Sequence, residues 1–126
     1  MKFHLLAASG QNLFTGYGEN YVTVNQRRFE KSLIVLPDSL IEEWEPANVG
    51  ALNSEHFEAI LRLAPEIVLL GTGSTFHFPH PRLTRALAEA QIGLEVMDTF
   101  AACRTYNILM AEGRKVAAAL ILETRG

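Results

Sequence analysis

Residues 94–122 constrain the fold more than any other stretch of the chain, because they read as a strand, a helix and a strand in quick succession, and the helix is apolar nearly all round. Around that helix only Asp98, Thr99, Arg104, Thr105, Asn107, Glu112 and Arg114 strongly resist burial. Its few polar residues therefore stand out, and the stretch specifies an α/β domain with a plausible recognition edge.

The chain's size permits this. A globule of 126 residues buries roughly two-thirds of the surface of its unfolded chain, enough to stand without a disulfide or metal. The 48% hydrophobic and 20% charged content fits a packed core and excludes a disordered chain, and a net charge of −3 with scattered lysines and arginines gives no basic stripe for nucleic acid. The single cysteine, Cys103, suits a reducing compartment. The apolar residues after Lys2 only faintly resemble a secretory leader, and no run reaches the ~20 apolar residues of a membrane-spanning helix. A cytoplasmic chain without membrane insertion is expected.

The first half reads as β-structure. Residues 13–17 and 21–25 flank the turn Gly18-Glu19-Asn20 as a hairpin, 32–36 forms a short strand ended by Pro37-Asp38, and 40–44 adds another before Pro46. From Asn53 the period becomes helical, with Phe57, Ile60, Leu61 and Ala64 on one face, Asn53 or Ser54 as cap and Pro65 beyond the end. Residues 67–70 then read as a buried strand. Gly71-Thr72-Gly73-Ser74 forms a loop, Pro81 opens a helix with Leu83, Ala86, Leu87 and Ala90 inward, and Gly93 closes it. Strand 94–97, helix 99–112 and strand 116–122 complete the chain. Strands alternating with helices of this length predict right-handed parallel crossovers. The expected class is α/β, one domain over 1–126, with a mixed sheet, a β-rich N-terminal half and a C-terminal βαβαβ half.

Ligands of open parallel sheets sit beyond the carboxyl ends of the strands. If the strands at 66–70 and 94–98 are parallel, Gly71, Thr72, Gly73 and Ser74 emerge beside Asp98 and Thr99, with Arg104 on the second turn of the following helix. Phe76 stands in the same connection and Asn107 lies three residues beyond Arg104. These residues form the candidate recognition edge. One reading makes it an anion site built from amides and Arg104. The other makes Gly71 and Gly73 a tight strand exit, Asp98 or Thr99 a helix cap, and Arg104 the partner of Asp98 or Glu112. A dinucleotide fingerprint fails because Phe76 occupies its third glycine position.

Cys103 is a nucleophile only in electropositive surroundings, and otherwise a small buried side chain. His77 and His80 lack the additional ligands of a metal site, and His80 is expected just ahead of the helix begun by Pro81. No catalytic residue, cofactor or metal is expected.

The blocks Leu69-Leu70-Gly71-Thr72-Gly73, Glu95-Val96-Met97-Asp98-Thr99, Ala102-Cys103-Arg104-Thr105-Tyr106-Asn107-Ile108-Leu109 and Val116-Ala117-Ala118-Ala119-Leu120 resemble the Xcc1710-like branch of the Mth-938-like family, formerly domain of unknown function 498. Mitochondrial relatives in that family include the NADH:ubiquinone oxidoreductase complex assembly factor 3. The resemblance implies a compact three-layer α/β fold with no established catalytic residues. The expectation is a protein-binding, assembly-factor-like domain with an unidentified protein partner and unknown oligomeric state. The alternative is a small-molecule or anion-binding enzyme using the loop after Gly71 and Arg104.

Overall fold

The computed structural model describes residues 10–74 and 77–123, so the opening residues and Phe76 lie outside the description. Strands β1 (Phe14–Gly18) and β2 (Tyr21–Val24) form the expected antiparallel hairpin, in which Val22 and Val24 turn inward. Asn25 and Gln26 both take positive φ, 49° and 71°, and reverse the chain into β3 (Arg27–Phe29). Successive positive φ values match the twist of a two-residue hairpin turn. This third strand goes beyond the sequence expectation, because Arg27 and Arg28 show no apolar alternation. Strands β1, β2 and β3 make a sheet of their own.

The larger sheet has the order β5-β4-β8-β6-β7, made from β4 (Leu33–Leu36), β5 (Ser39–Ile41), β6 (Ile67–Gly71), β7 (Gly93–Met97) and β8 (Val116–Leu120). Parallel pairing joins β6 to both β7 and β8, and β4 closes antiparallel on β8. The expected mixed α/β sheet is therefore present, with the first half divided between two sheets. Strand β5 is shorter than the expected 40–44: Glu43 takes a φ of 57°, and the Trp44 N–H bonds the Ser32 carbonyl at 2.8 Å.

Helices α1 (Ser54–Arg62) and α2 (Pro81–Glu89) cover one face of this sheet, where Ile34, Leu36, Val68, Leu70, Ala117 and Ala119 meet Phe57, Ile60 and Leu87. The other face, with Leu33, Val35, Leu69 and Ala118, meets α3 (Thr99–Ala111) and the small sheet. The period-2 alternation of β4 and β8 sorts their side chains between these layers. Helix α3 presents Ala102, Cys103, Tyr106 and Met110 to this core, and the Tyr106 ring meets Phe14 of β1 edge-on at 5.0 Å. Cover from two directions removes the need for a broad polar face.

Asn53 caps α1: its side chain accepts from His56 N–H and His56 Nδ1 accepts from Asn53 N–H, each at 3.1 Å. At the other end two expectations need correction. Ala64 leaves the helix for an exposed position with φ 52°, and Gln91, with φ 59°, takes the terminating role expected of Gly93, which instead begins β7. Ala90 is likewise an exposed cap residue. The Ile92 N–H reaches the Leu87 carbonyl and the Gln91 N–H reaches that of Ala88, the pattern that ordinarily ends on glycine, as α3 does at Gly113 with φ 82°. Left-handed backbone penalises any side chain, so Ala64→Gly and Gln91→Gly should each stabilise the fold by about 0.5–1 kcal/mol in urea titrations. Unchanged or lowered midpoints would show that this strain is absent.

Candidate functional site

The β6–β7 register sets Gly71 opposite Met97, so loop 71–74 and the Asp98-Thr99 corner leave the sheet from the same rim. Strand β8 ends there as well, with Leu120 opposite Gly71. The two loops hold each other directly. Thr72 N–H donates to the Met97 carbonyl at 3.0 Å, Gly73 N–H to Thr99 Oγ1 at 2.9 Å, and Thr99 N–H to the Gly73 carbonyl at 2.9 Å. Thr72 Oγ1 accepts from His77 N–H, and Asp98 Oδ1 caps α3 through Ala101 N–H at 2.9 Å. The amides of Thr72, Gly73 and Thr99 are thus engaged within the protein, and the side chains of Thr72 and Thr99 are buried. Ser74 stays exposed.

Above this latch lies a cleft of about 420 Å³, lined by turn 18–20, loop 72–74, Thr99, Phe100 and segment 121–123. Among the described residues its ionisable lining is Glu19 and Glu123. Segment 121–123 could have been anticipated, since β8 is a third strand ending on that rim. Turn 18–20 could not, because nothing in the local sequence states that the small sheet reaches it.

Arg104 is exposed and stands outside the cleft lining, tied to its rim by a hydrogen bond from Nη1 to Tyr17 Oη at 3.1 Å. Tyr17 in turn stacks on Phe100, 4.4 Å between centroids and 18° from parallel. Among the described residues no carboxylate pairs with Arg104, neither Asp98 nor Glu112. Asn107 is placed elsewhere. It is fully buried, its Oδ1 accepting from Phe14 N–H at 2.9 Å and its Nδ2 donating to the Phe14 carbonyl at 2.8 Å. The structure thus brings Gly71, Thr72, Gly73, Ser74, Asp98 and Thr99 together, sets Arg104 on the adjoining rim, and separates Asn107 from them.

Cys103 is buried, and desolvation pushes its thiol far above the ordinary range, with Arg104 offsetting only part of the effect. A thiol held neutral in this way is no nucleophile at physiological pH. His80 caps α2, its Nδ1 accepting from Arg82 N–H at 3.0 Å, while Phe78 is 74% exposed. Among the described residues no three His, Cys, Asp or Glu side chains are grouped to hold a metal ion. Nor is any helix among them long and apolar enough to cross a membrane.

A family described as "Protein of unknown function (DUF498/DUF598)" matches residues 14–121. The chain is similar to NADH dehydrogenase (ubiquinone) 1 alpha subcomplex assembly factor 3 of Bos taurus, 36% identical over 107 residues that cover 83% of this chain and 58% of that protein. It therefore spans less than two-thirds of that curated relative. Among solved structures it is similar to XCC1710 of Xanthomonas campestris, with 35% identity, 98% of each chain covered and a TM-score of 0.79. A Mth938-like domain of Bordetella pertussis shares 32% identity over 100% of this chain and 95% of that one, with a TM-score of 0.83. The resemblance read from the Gly71, Asp98 and Arg104 blocks and the observed three-layer arrangement agree with these matches, and the chain belongs to the DUF498/DUF598 family.

Proposed function

We propose that this chain is a non-catalytic, assembly-factor-like domain that works through protein contacts at the carboxyl edge of β6 and β7, with Gly71, Thr72, Gly73, Ser74, Asp98, Thr99 and Arg104 in the contact region. The observation that carries this reading is Arg104: an exposed guanidinium with no carboxylate partner among the described residues, held at the cleft rim by Tyr17. Such a group keeps most of its donors for a partner's carboxylate or carbonyl, and bidentate contacts of this kind give both affinity and register. The name of the Bos taurus relative supports an assembly role, and by that analogy the partner is a subunit or intermediate of a larger complex, with a respiratory NADH dehydrogenase as the first to examine. A cytoplasmic setting belongs to the same reading, supported by a lone buried thiol that needs no oxidising compartment.

The enzyme alternative has less to stand on. Its amides at Thr72 and Gly73 are committed to Met97 and Thr99, its thiol is buried, and the cleft's ionisable lining among the described residues is acidic.

Arg104→Ala should weaken a purified partner complex by about 2 kcal/mol, roughly thirtyfold in Kd by calorimetry, while Arg85→Ala on the exposed face of α2 leaves it unchanged. Equal affinities for wild type and Arg104→Ala would remove the edge from the binding surface.

A further inference from the structure

We infer that the β7 edge of the larger sheet receives an extended segment of a partner protein as a sixth strand, with a lysine or arginine set opposite Glu95. The inference does not rest on the role of Arg104. Strand β7 is terminal in the sheet order. Gly93 N–H bonds the Glu66 carbonyl and the Met97 carbonyl accepts from Thr72 N–H, so Gly93, Glu95 and Met97 turn their backbone groups toward β6. By the alternation of a parallel ladder, the N–H and C=O groups of Leu94 and Val96 point away from the sheet. Side chains tell the same story: β8 is buried throughout, whereas Gly93 and Glu95 are exposed and Leu94, Val96 and Met97 are half-buried.

The other edges are less receptive. The Phe14 backbone groups of β1 are taken by Asn107, β3 carries the exposed pair Arg27 and Arg28, and β5 has only three residues. Glu95 decides the occupant. A second copy pairing antiparallel about Glu95 would set two carboxylates roughly 5 Å apart, and one pairing about Leu94 or Val96 would leave each Glu95 opposite Gly93 or Met97 with no counter-charge, whereas a cation opposite Glu95 is favourable. The residues flanking that cation fall beside Leu94 and Val96, on the face covered by α1 and α2, and should be apolar. An apolar–basic–apolar segment adding to an open edge gains affinity from the main chain and selectivity from the alternating side chains.

The probe is the peptide acetyl-Thr-Val-Lys-Val-Thr-amide, followed by amide NMR on the whole chain. In the free protein, Leu94 and Val96 should exchange about tenfold or more faster than Glu95 and Met97. The peptide should protect Leu94 and Val96, and Glu95→Lys should transfer the preference to the same peptide centred on glutamate. Val96→Pro removes one outward N–H without touching a bond to β6 and should abolish the response. Four results would overturn the inference: slow exchange of Leu94 and Val96 in the free protein; no response at about 10 mM peptide; equal responses to the lysine and glutamate peptides; or protection of the same amides by concentration-dependent dimerisation.

Discussion

Replacing Asn107 by alanine is expected to destabilise the protein by about 3 kcal/mol, enough to lower the melting temperature by roughly 10 °C in a chain of this length. The side chain is fully buried and offers Phe14 the acceptor and donor that a neighbouring strand would offer, at 2.9 and 2.8 Å. Removing it leaves the Phe14 N–H and C=O unpaired in the interior, each costing about 1–3 kcal/mol, and opens a small cavity beside Tyr106. Asn107→Leu should fare little better, because the stranded partners belong to the backbone and cannot be replaced by apolar atoms. Asn107→Asp loses the donor and buries a charge, so it should be the worst of the three. Thermal melts rank the variants, and exchange of the Phe14 amide localises the damage. A loss below about 1 kcal/mol for the alanine variant would mean that β1 is held to α3 by its rings and not by this amide.

This residue also marks where sequence reading reaches its limit. Arg104 and Asn107 lie three apart, which places them about 60° from each other around a helix, close enough to be assigned one face. Burial separates them because α3 is covered from two directions, by the large sheet and by β1, and the boundary of that cover runs between them. The second cover comes from strands some 90 residues away, so no local period announces it. Where the local pattern itself sets the element it suffices: the alternation of β2, the apolar run at 67–70 and the strand–helix–strand order of 94–122 are all found in place. The side-by-side exit of loop 71–74 and Asp98-Thr99 is equally legible, since it needs only parallel strands. Ala64 and Gln91 are not, because a helix end set in left-handed backbone by its carbonyl pairing can hold a residue that does not advertise it. Turn 18–20 reaches the cleft only through the packing of the small sheet on α3, a tertiary fact with no sequence signature.

Gly71→Ala should cost about 2–3 kcal/mol in urea unfolding, and its cause separates it from the neighbouring glycine of the same loop. A Cβ at Gly71 would lie 2.7 Å from Leu120 Cδ2, 3.1 Å from the Cα of Thr99 and 3.3 Å from the Cβ of Ala102. Leu120 is fully buried and has little room to turn aside. Thr99 cannot yield cheaply either, since its N–H and Oγ1 are bonded to the carbonyl and N–H of Gly73. The added methyl therefore pushes the start of α3 away from the exit of β6 and stretches the latch that defines the rim. At Gly73 the opposite holds: nothing lies within 4 Å, but φ is +88°, so alanine there costs strain alone, about 1 kcal/mol. Gly71→Ala should accordingly speed amide exchange at Gly73 and Thr99 and also loosen the partner contact proposed for Arg104, whereas Gly73→Ala should lower stability modestly with the Thr99 amide still protected. If Gly73→Ala proved the more damaging of the two, backbone conformation and not close helix–strand approach would be what shapes this edge.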